Sequence, residues 1–285
     1  MATNTRDIRR RIKSIKNTAQ ITKAMQMVAA AKMRKAQQAA LAGRPYADLM
    51  QKVLTSVGER SDDTHPLLEV REVKKELVLV ISTDKGLCGA LNTNLLRELG
   101  KFDAAKTTYV AAGRKGAQYL ARTKQSILAD FELKDAPSFA ETKIISKFCI
   151  EQFLAGAVDR VTVACTHFVS TLTQTPTLKT ILPIAASEVT GHAAGEPDMG
   201  GGYLYEPSAG EVLDALLPHY VHFQIYQMVL DSRASEHSAR MVAMKSATDN
   251  AKQLIKDLTL EYNKVRQAAI TTEILEIATA QMAMG

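Results

Sequence analysis

The chain has 285 residues, 46% of them hydrophobic, and a formal charge of +6, which is enough for a buried core in one large domain or two smaller ones. Aromatic residues make up 5% and Trp is absent, while Ala, Met and Gln crowd both ends, a composition closer to long helices than to a β-rich enzyme. Cys88, Cys149 and Cys165 are odd in number and lack CxxC spacing, so neither a disulfide framework nor a zinc site is expected, and no apolar run approaches the roughly 18 residues of a membrane helix.

The first segment, MATNTRDIRRRIKSIKN, has the basic, hydroxyl-rich character of an organelle leader. Its register argues for mature structure. Ile8, Ile12, Ile15, Ala19, Thr22, Gln26, Ala29, Met33, Ala36 and Ala40 step by four and three without a slip, the spacing of a coiled-coil seam rather than of a broad globular stripe. Residues 1–40 also carry Arg6, Arg9, Arg10, Arg11, Lys13, Lys16, Lys23, Lys32, Arg34 and Lys35 against Asp7 alone. An acidic protein cavity or a nucleic acid would both suit such a helix. The absence of stacking aromatics and of a reader motif weighs against nucleic acid. Gly43 and Pro45 are expected to kink or end this helix, and Glu59–Val73 reads as a linker.

The middle alternates strand and helix patterns. Glu76–Ile81, Thr107–Ala112 and Arg160–His167 read as strands, with Leu91–Leu99, Lys115–Arg122 and Phe139–Ala155 as helices between them, the pattern of crossover units on a mainly parallel sheet. Thr177–Ile184 and Tyr203–Glu206 are candidate further strands, and Ser187–Gly202 reads as a loop. The stretch STDKGLCGALN, Ser82–Asn92, places glycines between a strand and a helix as phosphate cradles do. Gly86 and Gly89 do not make GxGxxG, however, and no Gly-Lys-Ser/Thr follows. A tight turn, with glycine allowing positive φ and close helix packing, is the expected reading.

From about Ala209 past Ala280 the pattern is one long helix, with Pro218 expected to kink it or mark its true start. Met241, Met244, Thr248, Ala251, Ile255, Leu258, Tyr262, Val265 and Ala269 repeat the heptad, so the two ends of the chain are expected to pair antiparallel as a left-handed coiled coil. His219 and His222 have metal-compatible spacing but no third ligand on their face. Ser235-Glu236-His237 holds triad letters that adjacent helical positions cannot bring together. No catalytic, cofactor or metal site is expected. The fold class is therefore α/β with long helices: an antiparallel coiled coil of the N- and C-terminal helices plus a Rossmann-like α/β domain, divided as residues 1–58, 59–208 and 209–285.

The segments IRRRIKSIKNTAQITKAMQMVAAAKMRKAQ, STDKGLCGALNTNL, YLYEPS, SEHSARMVAMKSATDNA and YNKVRQAAITTEILEI together resemble the gamma subunit family of bacterial F-type ATP synthases, end to end. The resemblance implies a non-catalytic rotor stalk, one copy per complex, coupling proton flow through a membrane c ring to ATP synthesis or hydrolysis in beta subunits. Its implied partners are the alpha and beta subunits, the epsilon subunit and the c ring, with no nucleic acid. Its implied place is peripheral, at the cytoplasmic face of the bacterial inner membrane.

Carried over by motif, Arg266 and Gln267 match a pair that hydrogen-bonds beta, Met25 a position facing beta that couples to Arg240 and Gln267, and Glu236 and Arg240 a coupling segment. Arg44, Pro45 and Tyr46, with Tyr203, Tyr205 and Glu206, match segments near the c ring and epsilon. The cysteine-bearing insertion of chloroplast relatives is missing, so thiol control is not expected. The rival reading is a basic coiled-coil nucleic-acid-binding or scaffold protein.

Overall fold

Period-two alternation organises the sheet. In β1 (Glu76–Ile81), Leu77, Leu79 and Ile81 point to one face and Val78 and Val80 to the other, and all five are buried. A strand buried on both faces belongs in the middle of a covered parallel sheet. β1 indeed pairs in parallel with β2 (Thr107–Ala112) on one side and with β4 (Arg160–Phe168) on the other. β3 (Ile127–Phe131) extends the β2 side, and β5 (Gln174–Leu182) runs antiparallel to β4, giving the order β3-β2-β1-β4-β5. Both edges are blunted: β3 is short and half-exposed, and β5 carries Pro176 and Lys179.

The computed structural model describes residues 5–58, 65–185, 205, 206 and 208–284. Two long helices, α1 (Thr5–Gly58) and α5 (Ala209–Met284), bracket the shorter α2 (Leu91–Glu98), α3 (Arg114–Arg122) and α4 (Phe139–Leu154). The chain falls into two compact units, Ala31–Ala239 and Met1–Ala30 with Arg240–Gly285.

In the larger unit one sheet face carries α2 and α3, with Leu95, Leu99 and Leu120 against Val78, Val80 and Tyr109. The other face meets a larger core from α1 (Met50, Leu54, Val57), α4 (Ile145, Cys149, Phe153) and α5 (Leu213, Leu217, Val221, Ile225, Val229). The α5 residues step by four, which is the helix-face spacing expected of a buried stripe. α4 starts at a capping box: Glu141 N–H donates to Ser138 Oγ at 3.3 Å, and Ser138 N–H donates to the Glu141 carboxylate at 3.0 Å.

In the smaller unit the heptad seam is real. Each seam position from Ile8 to Ala29, and each from Met241 to Val265, is buried or half-buried, with mostly exposed residues between. Two contacts set the direction. Arg9 donates to Tyr262 Oη at 2.7 Å, and the hydroxyls of Thr22 and Thr248 bond at 2.8 Å. As one number rises the other falls, so the helices are antiparallel. This register places Thr5 near the level of Arg266, and from Arg266 to Ala283 the residues of α5 are all exposed.

Several expectations are corrected. Pro218 does not mark the start of α5, which begins at Ala209, nor does α1 end at Gly43 or Pro45. β3 is an additional strand, and Tyr205 and Glu206 are not in one; Tyr203 and Ser187–Gly202 lie outside the described residues. Among its described residues, the region read as a linker contains a 3₁₀ turn, Pro66–Leu68, whose Leu67 is fully buried. His219 and His222 take separate partners: Tyr46 Oη at 2.8 Å and Ser146 Oγ at 2.7 Å.

The glycine account also changes. Gly89 has φ +62°, but a Cβ there or at Gly86 would meet no atom within 4 Å, so neither provides close packing. The close approach is at Gly113, with φ +117° and the Ser82 carbonyl oxygen 2.3 Å from where its Cβ would stand. Gly113→Ala combines a disfavoured backbone conformation with a clash against main chain, and is expected to cost about 3 kcal/mol. Gly89→Ala should cost about 1 kcal/mol and Gly86→Ala close to nothing. Denaturant unfolding of the three variants checks this order, and a Gly113→Ala chain as stable as Gly86→Ala would refute it.

Candidate functional site

In an open α/β sheet, ligands bind beyond the carboxyl ends of strands where the order reverses. Here the chain runs outward from β1 to β2 and β3, then returns across β1 to β4. The crevice therefore lies between the ends of β1 and β4, and the Ser82–Asn92 loop opens onto it. Its walls are Ser82, Thr83 and Asn92 on one side and Thr166, Ser232, Arg233 and Glu236 on the other, around a cavity of only about 10 Å³. That is room for roughly one water, whereas small-molecule sites run to about 300 Å³ and more.

The chain's own side chains fill the space. Asp84 takes the place an anion would occupy at a helix N-terminus: its Oδ1 accepts from Arg114 N–H at 3.1 Å, at the first turn of α3. Gly116 N–H donates to Ser82 Oγ at 2.8 Å and Lys115 N–H to the Thr83 carbonyl at 3.0 Å. The loop holds its shape through Asn92, whose amide donates to Thr83 Oγ1 at 2.8 Å and to Cys88 Sγ at 3.4 Å. Thus the glycine-bearing loop caps α3 with a carboxylate and leaves those amides no phosphate to bind.

Facing this loop, α5 is buried around its whole circumference from Ser232 to Ser238. Ser235 donates to the Thr166 carbonyl at 3.1 Å and Ser238 to that of Thr171 at 2.9 Å, while Thr166 N–H donates to Ser232 Oγ at 3.2 Å. Asp231 accepts from His167 and from Phe168 N–H. Arg233, 3% exposed, donates to Glu236 Oε2 at 2.7 Å, to the Leu133 carbonyl at 2.8 Å and to Asp84 Oδ2 at 3.1 Å. Burial works against its charge, but Glu236 first and Asp84 second outweigh it and hold the guanidinium pKa above its ordinary value. Beside it, Asp135 pairs with Lys32 of α1, and that bond is the main cause of its lowered pKa.

The residues singled out from sequence fall into separate places. Glu236 is 3% exposed and committed to Arg233. Met25 is half-buried on α1, level with about Lys245 in the antiparallel register. At 1.5 Å per residue it stands roughly 8 Å along the axis from the level of Arg240 and roughly 33 Å from that of Gln267. Met25 and Gln267 therefore do not touch, and any coupling between them runs through something else. Arg266 and Gln267 are exposed on α5.

In the larger unit Pro45 is exposed, and Arg44 is helical. Tyr46 stacks at a tilt on Phe223, ring centroids 4.9 Å apart, while its hydroxyl meets His219. Tyr205 bonds Ser56 Oγ at 2.7 Å, about 15 Å along α1 from Tyr46, and Glu206 is exposed. Arg233 and Asp84 were not reached by sequence reasoning. Arg233 lies in a stretch of α5, Asp231 to Ser238, that is polar at every position but Ala234 and so reads as surface, and Asp84 lies 149 positions away.

The three cysteines are free and buried, and burial pushes the Cys149 and Cys165 thiols up to about 12, with Asp231 adding to the second. Among the described residues no helix is long and apolar enough to cross a membrane.

Residues 4–284 match the family model described as ATP synthase. The chain is 56% identical to the ATP synthase gamma chain of Methylacidiphilum infernorum over the full length of both, and 52% identical to that of Opitutus terrae over 98% of each. Among solved structures it is similar to a chain of the central stalk and c ring of the Tetrahymena thermophila mitochondrial ATP synthase, with TM-score 0.62, 26% identity and coverage of 80% of this chain and 99% of that one. A rotor chain of the Euglena gracilis mitochondrial enzyme shares the fold at TM-score 0.68 and 22% identity, over 93% and 98% of the two chains. A closed nucleotide crevice, an antiparallel helix pair and these relationships agree: the chain belongs to the ATP synthase gamma-chain family.

Proposed function

We propose that this chain is the central rotor stalk of a proton-translocating ATP synthase, a non-catalytic subunit that turns inside a ring of alpha and beta subunits and meets the c ring and the epsilon subunit at its α/β domain. The observation that carries the reading is the antiparallel pair fixed by Arg9–Tyr262 and Thr22–Thr248, with α5 exposed from Arg266 to Ala283. A two-helix rod resists bending better than one helix. Its different faces, presented to three otherwise equivalent beta subunits, would stabilise a different conformation in each, which is a population shift by differential contact. One proton crossing about 100 mV supplies roughly 2.3 kcal/mol, so several must be pooled per ATP, and a stiff shaft does this mechanically.

Within that role, Arg266 and Gln267 offer guanidinium and amide donors from an exposed helix surface, and Met25 and Arg240 lie at neighbouring levels of the paired stretch. The exposed basic residues of α1 suit an acidic protein lining. Ile270, Ile274, Leu275, Ile277 and Met282 leave an exposed apolar tip, suited to a bearing that no strong ion pair pins at one angle. Arg44, Pro45, Tyr46, Tyr203, Tyr205 and Glu206 are assigned to the c-ring and epsilon side. The exposure of Pro45, Tyr46 and Glu206 supports this, while Tyr205 anchors its segment to Ser56. The complex would sit at the cytoplasmic face of the bacterial inner membrane with this chain peripheral to it. Family membership removes the ground for the nucleic-acid alternative.

Two outcomes are expected. The isolated chain should show no saturable binding of Mg-ATP in calorimetric titration, because Asp84 and α5 occupy the crevice; micromolar binding that survives repurification would contradict this. Replacing both Arg266 and Gln267 with Ala should lower ATP synthesis by reconstituted vesicles under a fixed proton gradient several-fold, with assembly nearly intact. Each lost hydrogen bond to a charged partner is worth about 1.5–3 kcal/mol, and Arg266→Lys should restore charge but not the forked geometry. Synthesis equal to wild type in the double variant would remove the contact assignment.

A further inference from the structure

Most of the packing between α5 and the sheet in the larger unit is apolar: Leu213, Leu217, Val221, Ile225 and Val229 lie against the core. Apolar burial is non-directional. It holds a helix down, but opposes sliding or turning about the helix axis only through side-chain shape, and packed helices do shear past one another by small displacements. A joint that carries torque needs contacts that depend on angle.

The band at 231–238 has that character. Arg233 extends a planar fork whose donors reach three acceptors on three different segments: Glu236 on its own helix, Asp84 after β1 and the Leu133 carbonyl after β3. Guanidinium bonds of this kind are strong and directional. Ser232, Ser235 and Asp231 fix the same turns to the end of β4. The Asp84 carboxylate is in turn held by the first turn of α3, and Asp135, in the loop that carries Leu133, is held by Lys32 of α1. Turning α5 about its axis by even part of a residue step would break several of these bonds together. The band lies within α5, which is helix from Ala209 to Met284.

We infer that Arg233, clasped by Asp84, Glu236 and the Leu133 carbonyl, is a positioning residue for coupling: it locks the rotation of α5 against the sheet, so that torque passes between helix and α/β domain without slip. This rests on the rotor reading above. It also gives Glu236 a part played from inside the domain, as the acid that holds Arg233, rather than by contact with a partner.

The test uses the assembled complex in vesicles, with ATP-driven proton uptake and ATP hydrolysis measured on the same preparation. The variants are Arg233→Met, which removes the fork, Asp84→Asn, which keeps an acceptor for Arg114 but removes the charge, and Arg233→Lys. Protons taken up per ATP hydrolysed should fall at least threefold in Arg233→Met, less in Asp84→Asn, and recover partly in Arg233→Lys, while hydrolysis changes little. A role confined to folding would lower assembled complex and both activities in parallel, leaving their ratio at the wild-type value, and that result overturns the inference. If Arg233→Met does not assemble, Asp84→Asn decides, since its site is partly solvated: a wild-type ratio there overturns the inference as well. Failure of the rotor reading would look different, because proton uptake by the wild-type complex would then not depend on this chain.

Discussion

A guanidinium cannot give up its proton inside a protein, so an arginine that is buried must be satisfied where it stands. Arg233 meets this with two carboxylates and a carbonyl, and much of the larger unit follows from it. Asp84 must come inward, which fixes the course of the loop after β1; Leu133 must present its carbonyl, which fixes the loop after β3; and Glu236 must accept from it one turn along the helix. Breaking a buried pair of this kind by removing one partner costs about 3–5 kcal/mol. A hydrophobic replacement of the whole set could be as stable, so stability alone does not account for the arrangement. Its distinctive property is geometry: it defines one angle of a helix against a sheet.

The same contacts explain why, in a fold built like a nucleotide-binding domain, the crevice at the sheet's switch point is only about 10 Å³. The sheet order creates the switch point between β1 and β4, and the first turn of α3 offers amides beyond it. Asp84 occupies the anion's position and the hydroxyls of Ser232 and Ser235 bond the end of β4, so α5 lies where a ligand would. In this family the chemistry is left to other subunits, and the polar groups that a ligand would have met are turned to holding the chain's longest helix.

Much of this was legible in the residues. The heptads at both ends predicted an antiparallel pair because a seam of three-and-four spacing needs a matching seam, and the burial from Ile8 to Ala29 and from Met241 to Val265 follows it. β1 read clearly because a strand buried on both faces is a continuous apolar run. β3 did not, because an edge strand turns Leu128 and Asp130 outward and keeps only Ile127, Ala129 and Phe131 inward. Pro45 and Pro218 misled local reasoning: proline propensity weighs against a helix, but tertiary packing of Met50 and Leu54 on one side and Leu213 and Leu217 on the other favours continuing it. The clasp was illegible for another reason. Arg233 and Asp84 are 149 positions apart, and a charged residue in a polar stretch of helix looks like surface until the sheet ends that cover it are known.

On the rotor reading proposed above, the α/β domain turns when ATP is hydrolysed. A reporter on that domain tests it most directly. Val70 is 84% exposed and the three native cysteines are buried, so a Val70→Cys variant takes a thiol-linked gold rod selectively. With the alpha and beta subunits of the complex fixed to glass, the rod should rotate in one direction on adding Mg-ATP and stop when ATP is withdrawn. A rod that stays at one angle while the same complexes hydrolyse ATP would contradict the account.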